Sequence, residues 1–357
     1  AAASRPLLVG PQRASSVASE RLALAMAQRH GLPDAICRLL AARNVGLESV
    51  PDFLEPTLRK FLPDPSHLKD MDAAVERLVR AVKAGEKIVV FGDYDVDGAT
   101  SSALLQRFFR SAGANIGVYI PDRRKEGYGP NAPALLKLKE QGASVVVTVD
   151  CGVTAYEPLA QARKAGLDVI VIDHHQAEMA LPEAVAVVDP NRVDDDSPHK
   201  QIAAVGVAFL LAVGVNRALR AANWYGDGKP EPDLRQWLDL VALGTVCDVV
   251  PLKGLNRAYV TQGLKIMARR ENLGVAALCD VARLKRKRTA SMPVTTRICR
   301  NFGAKCSALT RKPSSGSSGI SSNMESGTLP LQRREDVGVH RLAQPEQADH
   351  DGEDPQS

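Results

Sequence analysis

From Lys87 onward the chain repeats one pattern: a short β-branched run, a stretch of helical period, and a small residue that ends it. The runs are "KIVVF" (87–91), "IGVYI" (116–120), "SVVVTV" (144–149), "DVIVI" (168–172) and "AVAVV" (184–188). Between them lie "SSALLQRFFRSAG", "NAPALLKLKEQG" and "AYEPLAQARKAG", each closing on a Gly suited to a helix C-terminus. Strands that are apolar throughout must be covered on both faces. With helices between them, a parallel sheet is the solution. The expected fold is therefore α/β, a Rossmann-like, doubly wound, mainly parallel sheet. In such sheets ligands bind in the crevice beyond the carboxyl ends of the strands.

Three of these strands run directly into acidic segments. After 87–91 comes Gly92-Asp93-Tyr94-Asp95-Val96-Asp97-Gly98, after 144–149 comes Asp150-Cys151-Gly152, and after 168–172 comes Asp173-His174-His175. A further carboxylate, Asp248, sits in the apolar stretch "LDLVALGTVCDVVPL", expected to be one helix. Taken singly these residues have ordinary explanations. Asp at a strand end caps the next helix, a lone Asp in an apolar helix is a satisfied structural group, and a His-His pair lies at the surface. The fold changes the weighing, because the strand ends converge on one crevice. Like charges ~4 Å apart cost several kcal/mol at moderate dielectric, and acids are almost never buried unless paired or bound to metal. Two divalent cations remove that cost. Carboxylates with one or two imidazoles suit Mn²⁺ or Mg²⁺ better than Zn²⁺, which favours sulfur or more His.

The rest of the chain is read around this unit. Residues 17–84 form a helical N-terminal segment broken by Pro51, Pro56, Pro63 and Pro65. Residues 85–252 are the expected catalytic domain and 253–284 a helical linker region. The first 16 residues lack an initiating Met and a signal peptide's charged start, and are expected to be a disordered leader. Residues 285–357, rich in Ser, Arg, Gly and Pro without hydrophobic period, are expected to be a disordered or aberrant tail. No apolar run approaches the ~18 residues of a membrane span, so no membrane partner is expected. Six cysteines without a C-x-x-C pair read as free thiols of a reducing compartment. The net charge of +5 permits an anionic partner without demanding one, and 4% aromatic content leaves little for base stacking.

"DYDVDG", "VDCG", "DHH" and "LGTVCDVVPL", in this order and spacing, resemble the DHH phosphoesterase superfamily, and within it the RecJ family of single-strand-specific 5′→3′ DNA exonucleases. The linking stretches "YIPDRRKEGYGPN", "VVDPNR" and "AVGVAFLL" agree, and the likeness runs from about residue 50 to about residue 283. The resemblance implies roles. Asp95 would hold one ion, with Asp93 as a further ligand, and Asp97 the other. Asp150 would bridge the two. His174 and Asp248 would complete the second ion, and His175 would contact the scissile phosphate, with Arg123 and Arg124 as further phosphate contacts. The implied reaction is hydrolysis of single-stranded DNA to 5′-mononucleotides by water activated between two ions, in DNA recombination and repair, in the bacterial cytoplasm. A helicase or single-strand-binding protein is the implied partner.

Two other readings compete. One is a different DHH phosphoesterase acting on short oligoribonucleotides, cyclic dinucleotides or pyrophosphate. The other is a truncated product that binds metal and turns over nothing. The second has its reason in a departure from the family: RecJ proteins continue into a DHH-associated domain with consecutive glycines beside a His, and this sequence has no two adjacent glycines. The tail has the composition that a shifted reading frame would give, and resequencing across the codons for Arg283 to Ala290 tests this. The basic run "RLKRKR" (283–288) falls in the same region.

Overall fold

The computed structural model describes residues 17–226 and 228–282. The expected leader (1–16) and tail (285–357) lie outside the described residues. Helices α1 (Val17–His30), α2 (Asp34–Ala42), α3 (Val50–Leu54), α4 (Leu58–Phe61) and α5 (Met71–Ala84) precede the sheet. Then come β1 (Lys87–Gly92), α6 (Val96–Ser111), β2 (Ile116–Tyr119), α7 (Ala132–Glu140), β3 (Ala143–Val149), α8 (Tyr156–Lys164), β4 (Asp168–Ile172) and β5 (Ala186–Val188). Helices α9 (Ala204–Ala221), α10 (Leu238–Cys247), α11 (Gly254–Met267) and α12 (Leu273–Val281) complete the described chain.

All five strands are parallel, in the order β2-β1-β3-β4-β5. The period-two alternation of side chains divides each run between two cores. Ile88, Val90, Val145, Val147, Val149, Ile170 and Ile172 join α5, α6, α9 and α10 in one. Val89, Phe91, Val146, Val169 and Val171 pack against Leu135 and Leu138 of α7 and Leu159 of α8 in the other. This two-sided burial is why the strands are apolar throughout rather than alternating. Helices α1 and α2 have a small core of their own around Met26, Cys37 and Leu40.

Three features depart from the sequence expectations. Helix α6 begins at Val96, inside the acidic motif, because Asp95 caps it by accepting from the backbone N–H of Asp97 and Gly98. Asp248 is not within a helix but at the C-terminal cap of α10, where Val249 takes a left-handed φ of 63° and Pro251 comes two residues later. Helix α9 is 18 residues long and apolar enough to cross a membrane by length and composition, contrary to the expectation that no such run exists. It is 72% buried inside the fold and serves as a core helix.

Candidate metal centre

The strand order reverses direction between β1 and β3, and in sheets of this order that switch point opens the ligand crevice. The chain places its acids there by continuing the sheet ladder. The backbone N–H of Asp93, just past β1, donates to Val149 of β3. Asp150, past β3, donates likewise to Ile172 of β4, and Asp173, past β4, to Val188 of β5. Each acid is thus one step beyond its own strand and locked to the end of the next.

Two glycines let the helices come close enough to complete the site. A Cβ on Gly98 would lie 2.5 Å from the Asp93 carbonyl oxygen and 2.7 Å from its nitrogen, so the first turn of α6 closes on Asp93 only without a side chain. A Cβ on Gly244 of α10 would lie 2.9 Å from Asp97 Oδ1. Asp97 is 2% exposed and accepts the N–H groups of Ala204 and Val205, at 2.7 and 2.9 Å, in the first turn of α9. A helix N-terminus aimed at a carboxylate favours its charge.

The side chains meet in overlapping sets whose donor atoms lie within 4.8 Å of one another: Asp93, Asp95 and Asp150; Asp97, His174 and Asp248; and Asp150, His174 and His175. His174 joins them, with Nε2 at 3.2 Å from Asp150 Oδ1 and 3.9 Å from Asp97 Oδ2, and Nδ1 at 3.7 Å from Asp248 Oδ2. Seven residues from four strand ends or helix ends therefore share one crevice. The guanidinium of Arg123 lies 4.7 Å over the ring of Tyr94, between Asp93 and Asp95 in sequence, while the Arg124 side chain is exposed.

The electrostatics show what the protein alone does not supply. Burial, opposed by the Tyr94 N–H and reinforced by Asp95, pushes Asp93 up to about 6. Burial and the charge of Asp248 push Asp97 up to about 8 despite its two backbone donors. Burial, then Asp97 and Asp95, raises Asp150 well above the carboxylate range. Burial and Asp95 push Asp248 up to about 6. Asp93 Oδ1 and Asp248 Oδ2 are buried without a hydrogen-bond partner in the protein. Carboxylates held together against their own repulsion, with oxygens left unpaired, are what a pair of hard divalent cations relieves. Burial and the neighbouring His175 lower His174, which keeps its imidazole neutral, the form that ligates a metal. The donor set fits the group.

Some of the working parts were not singled out from sequence. Asp173, 1% exposed, accepts from the backbone N–H groups of Val153, His174 and His175 and from His175 Nδ1 at 2.7 Å. That hydrogen bond, working against burial, pushes His175 up to about 9. Burial alone would raise Asp173, but the His175 hydrogen bond, its charge and the backbone donors outweigh it and hold the acid below its ordinary value. Asn191, after β5, donates from Nδ2 to the His174 carbonyl at 2.6 Å, so the histidine pair is pinned from both sides. The Tyr128 hydroxyl donates to the Asp150 carbonyl at 3.0 Å and steadies a residue whose φ of 62° is costly outside glycine. Asp173 belongs to the acidic segment after β4, and its side chain ties that segment to Val153 in the loop after β3.

Comparison with known proteins agrees with this fold. A family model for the DHH family, N-terminal domain, matches residues 87–245. The single-stranded-DNA-specific exonuclease RecJ of Salmonella typhimurium is 41% identical over 254 residues, which cover 70% of this chain and 43% of that protein. RecJ of Bacillus subtilis is 40% identical over 219 residues, covering 61% and 26%. Among solved structures, exonuclease RecJ bound to manganese superposes with a TM-score of 0.56 at 34% identity, covering 66% of this chain and 57% of that one. RecJ of Thermus thermophilus in complex with Mn²⁺ gives 0.59 at 25% identity, covering 81% and 44%. The chain thus spans less than half the length of these curated relatives. Residues 87–245 thus match the N-terminal domain of the DHH family, and the chain is similar in sequence and in fold to the RecJ exonucleases.

Proposed function

We propose that this protein is a two-metal phosphodiester hydrolase, a RecJ-like 5′→3′ exonuclease that degrades single-stranded DNA to mononucleotides in recombination and repair. The observation that carries the reading is the pairing of donor sets, Asp93/Asp95/Asp150 and Asp97/His174/Asp248, joined across the 3.2 Å approach of Asp150 and His174. In this reading Asp93 and Asp95 would hold one ion, Asp97, His174 and Asp248 the other, and Asp150 would serve both. Mn²⁺ or Mg²⁺ suits the donors, and RecJ of Thermus thermophilus has been solved in complex with each. Such a pair lowers the pKa of a shared water, clamps the phosphate and stabilises the leaving oxygen.

The chain's own residues do the rest. His175 uses Nδ1 for Asp173, which leaves Nε2–H to donate to a phosphate oxygen, and the buried acid keeps the ring charged at neutral pH. Asp97 is fixed by two N–H groups of α9 and so holds its cation in one place. Arg123, seated over Tyr94, and the exposed Arg124 are the proposed further phosphate contacts. Single-stranded DNA is the substrate, with a helicase or single-strand-binding protein as partner in the cell. The named relatives are bacterial, which supports a cytoplasmic location. Residues 85–252 are the proposed catalytic domain and 253–284 its linker region.

The test compares hydrolysis of a 5′-phosphorylated single strand, a dinucleotide and pyrophosphate in Mn²⁺, with Asp150→Ala as control. Release of mononucleotides from the 5′ end of the long strand, lost in the variant, supports the reading. Preference for pyrophosphate or the dinucleotide, or equal activity in the variant, overturns it.

A further inference from the structure

Two tyrosines stand at the crevice, and they differ in what covers them. The ring of Tyr94 carries the Arg123 guanidinium 4.7 Å from its centroid. The ring of Tyr128 is open, with the residue 53% exposed, yet it is not free to move. Its hydroxyl donates to the Asp150 carbonyl at 3.0 Å, and its ring and that of His175 form a T-shaped pair, 6.2 Å between centroids and 76° between planes. A large aromatic surface facing solvent gains nothing for folding there, and a lone hydrogen bond could be made by a smaller side chain. A ring held by its tip beside the proposed phosphate contact, in a residue more than half exposed, has the geometry of a stacking platform.

We infer that Tyr128 stacks on a nucleobase of the strand undergoing hydrolysis, next to the phosphate held by His175, and that this contact helps select single strands. The inference rests on the nuclease reading of the same site and deepens it by assigning how the bases are held. Every base offers a π-face, so the contact is indifferent to sequence. In a duplex both faces of an internal base are already stacked, so the platform is reachable only by an unpaired nucleotide. The low aromatic content of the chain is no obstacle, because one fixed ring suffices for one base.

The experiment separates stacking from bracing of Asp150. Binding of a 5′-phosphorylated, fluorescein-labelled single strand is measured by anisotropy in Ca²⁺ for the wild-type chain, Tyr128→Phe and Tyr128→Ala. Each is then tested with strands carrying an abasic residue at the first, second or third nucleotide. Stacking predicts that Tyr128→Ala binds about tenfold more weakly than wild type, and that Tyr128→Phe, which keeps the ring and loses the hydroxyl, falls clearly above Tyr128→Ala in affinity. At one abasic position the wild type should fall to the level of Tyr128→Ala, and that variant should lose nothing more. If Phe and Ala behave alike, or if no abasic position removes the difference, the ring is only a brace and the inference is overturned. A wild-type chain that binds no single strand overturns the nuclease reading together with it.

Discussion

Replacing Asp248 by Asn should stabilise the metal-free protein and leave it less to gain from manganese than wild type has. Burial and Asp95 push Asp248 up to about 6 from an ordinary 3.8. An acid whose folded-state value is raised binds its proton more tightly when folded, so it costs stability as pH rises from about 4 to about 6, and the full cost persists above. A rise of about two units is worth about 3 kcal/mol. This is an upper bound, because the side chain keeps 22% of its exposure. Asp248→Asn removes that cost, since Oδ2 has no hydrogen-bond partner to lose. In EDTA the variant should therefore exceed wild type by up to about 3 kcal/mol at pH 7 and match it at about pH 4. Saturating Mn²⁺ should narrow the gap: an ion at 100 times its Kd adds about 2.7 kcal/mol to the wild type and less to the variant. Urea melts at about pH 4, 5.5 and 7, with EDTA or Mn²⁺, read both arms. If the variant is less stable than wild type in EDTA at neutral pH, or if Mn²⁺ stabilises both equally, the reasoning from unrelieved charge is wrong.

The same geometry sets three more outcomes. Gly244→Ala puts a methyl 2.4 Å from Thr100 Oγ1 and 2.9 Å from Asp97 Oδ1; thermal melts should show a loss of about 1–3 kcal/mol, and calorimetry weaker Mn²⁺ binding. Asp173→Asn removes the acid that holds His175 up at about 9; if hydrolysis needs the charged ring, the alkaline limb of the pH–rate profile should move from near 9 toward about 6.5, so that the variant fails at about pH 8 where wild type still works. Asn191→Ala frees the His174 carbonyl and should weaken Mn²⁺ binding about tenfold, with little change in the urea melt of the metal-free protein.

The sheet was legible because it is buried on both faces: five unbroken β-branched runs admit few other arrangements, and the polar residues past the runs mark where the crevice opens. What periodicity could not supply were the ends of elements set by single caps. The helix after β1 starts at Val96 because Asp95 accepts from Asp97 and Gly98, a pattern invisible in the small residues "GATSS". Asp248 looked helical because apolar residues continue past it, while the backbone turns left-handed at Val249 and presents the carboxylate to His174. The supporting residues Asp173, Asn191 and Tyr128 were harder still. Asn191 and Tyr128 act on backbone carbonyls that only the strand order and the β2–α7 connection bring near, which leaves no mark in sequence, and Asp173 reads as one more acid beside His174 until its bond to His175 is seen.

The central claim is that acids far apart in the chain gather around two cations. Crystals soaked in MnCl₂ and measured at the manganese edge test it directly. The account predicts two anomalous peaks, one among Asp93, Asp95 and Asp150 and one among Asp97, His174 and Asp248, with Asp150 touching both. No peak in the crevice, or a single ion on surface carboxylates elsewhere, would contradict it.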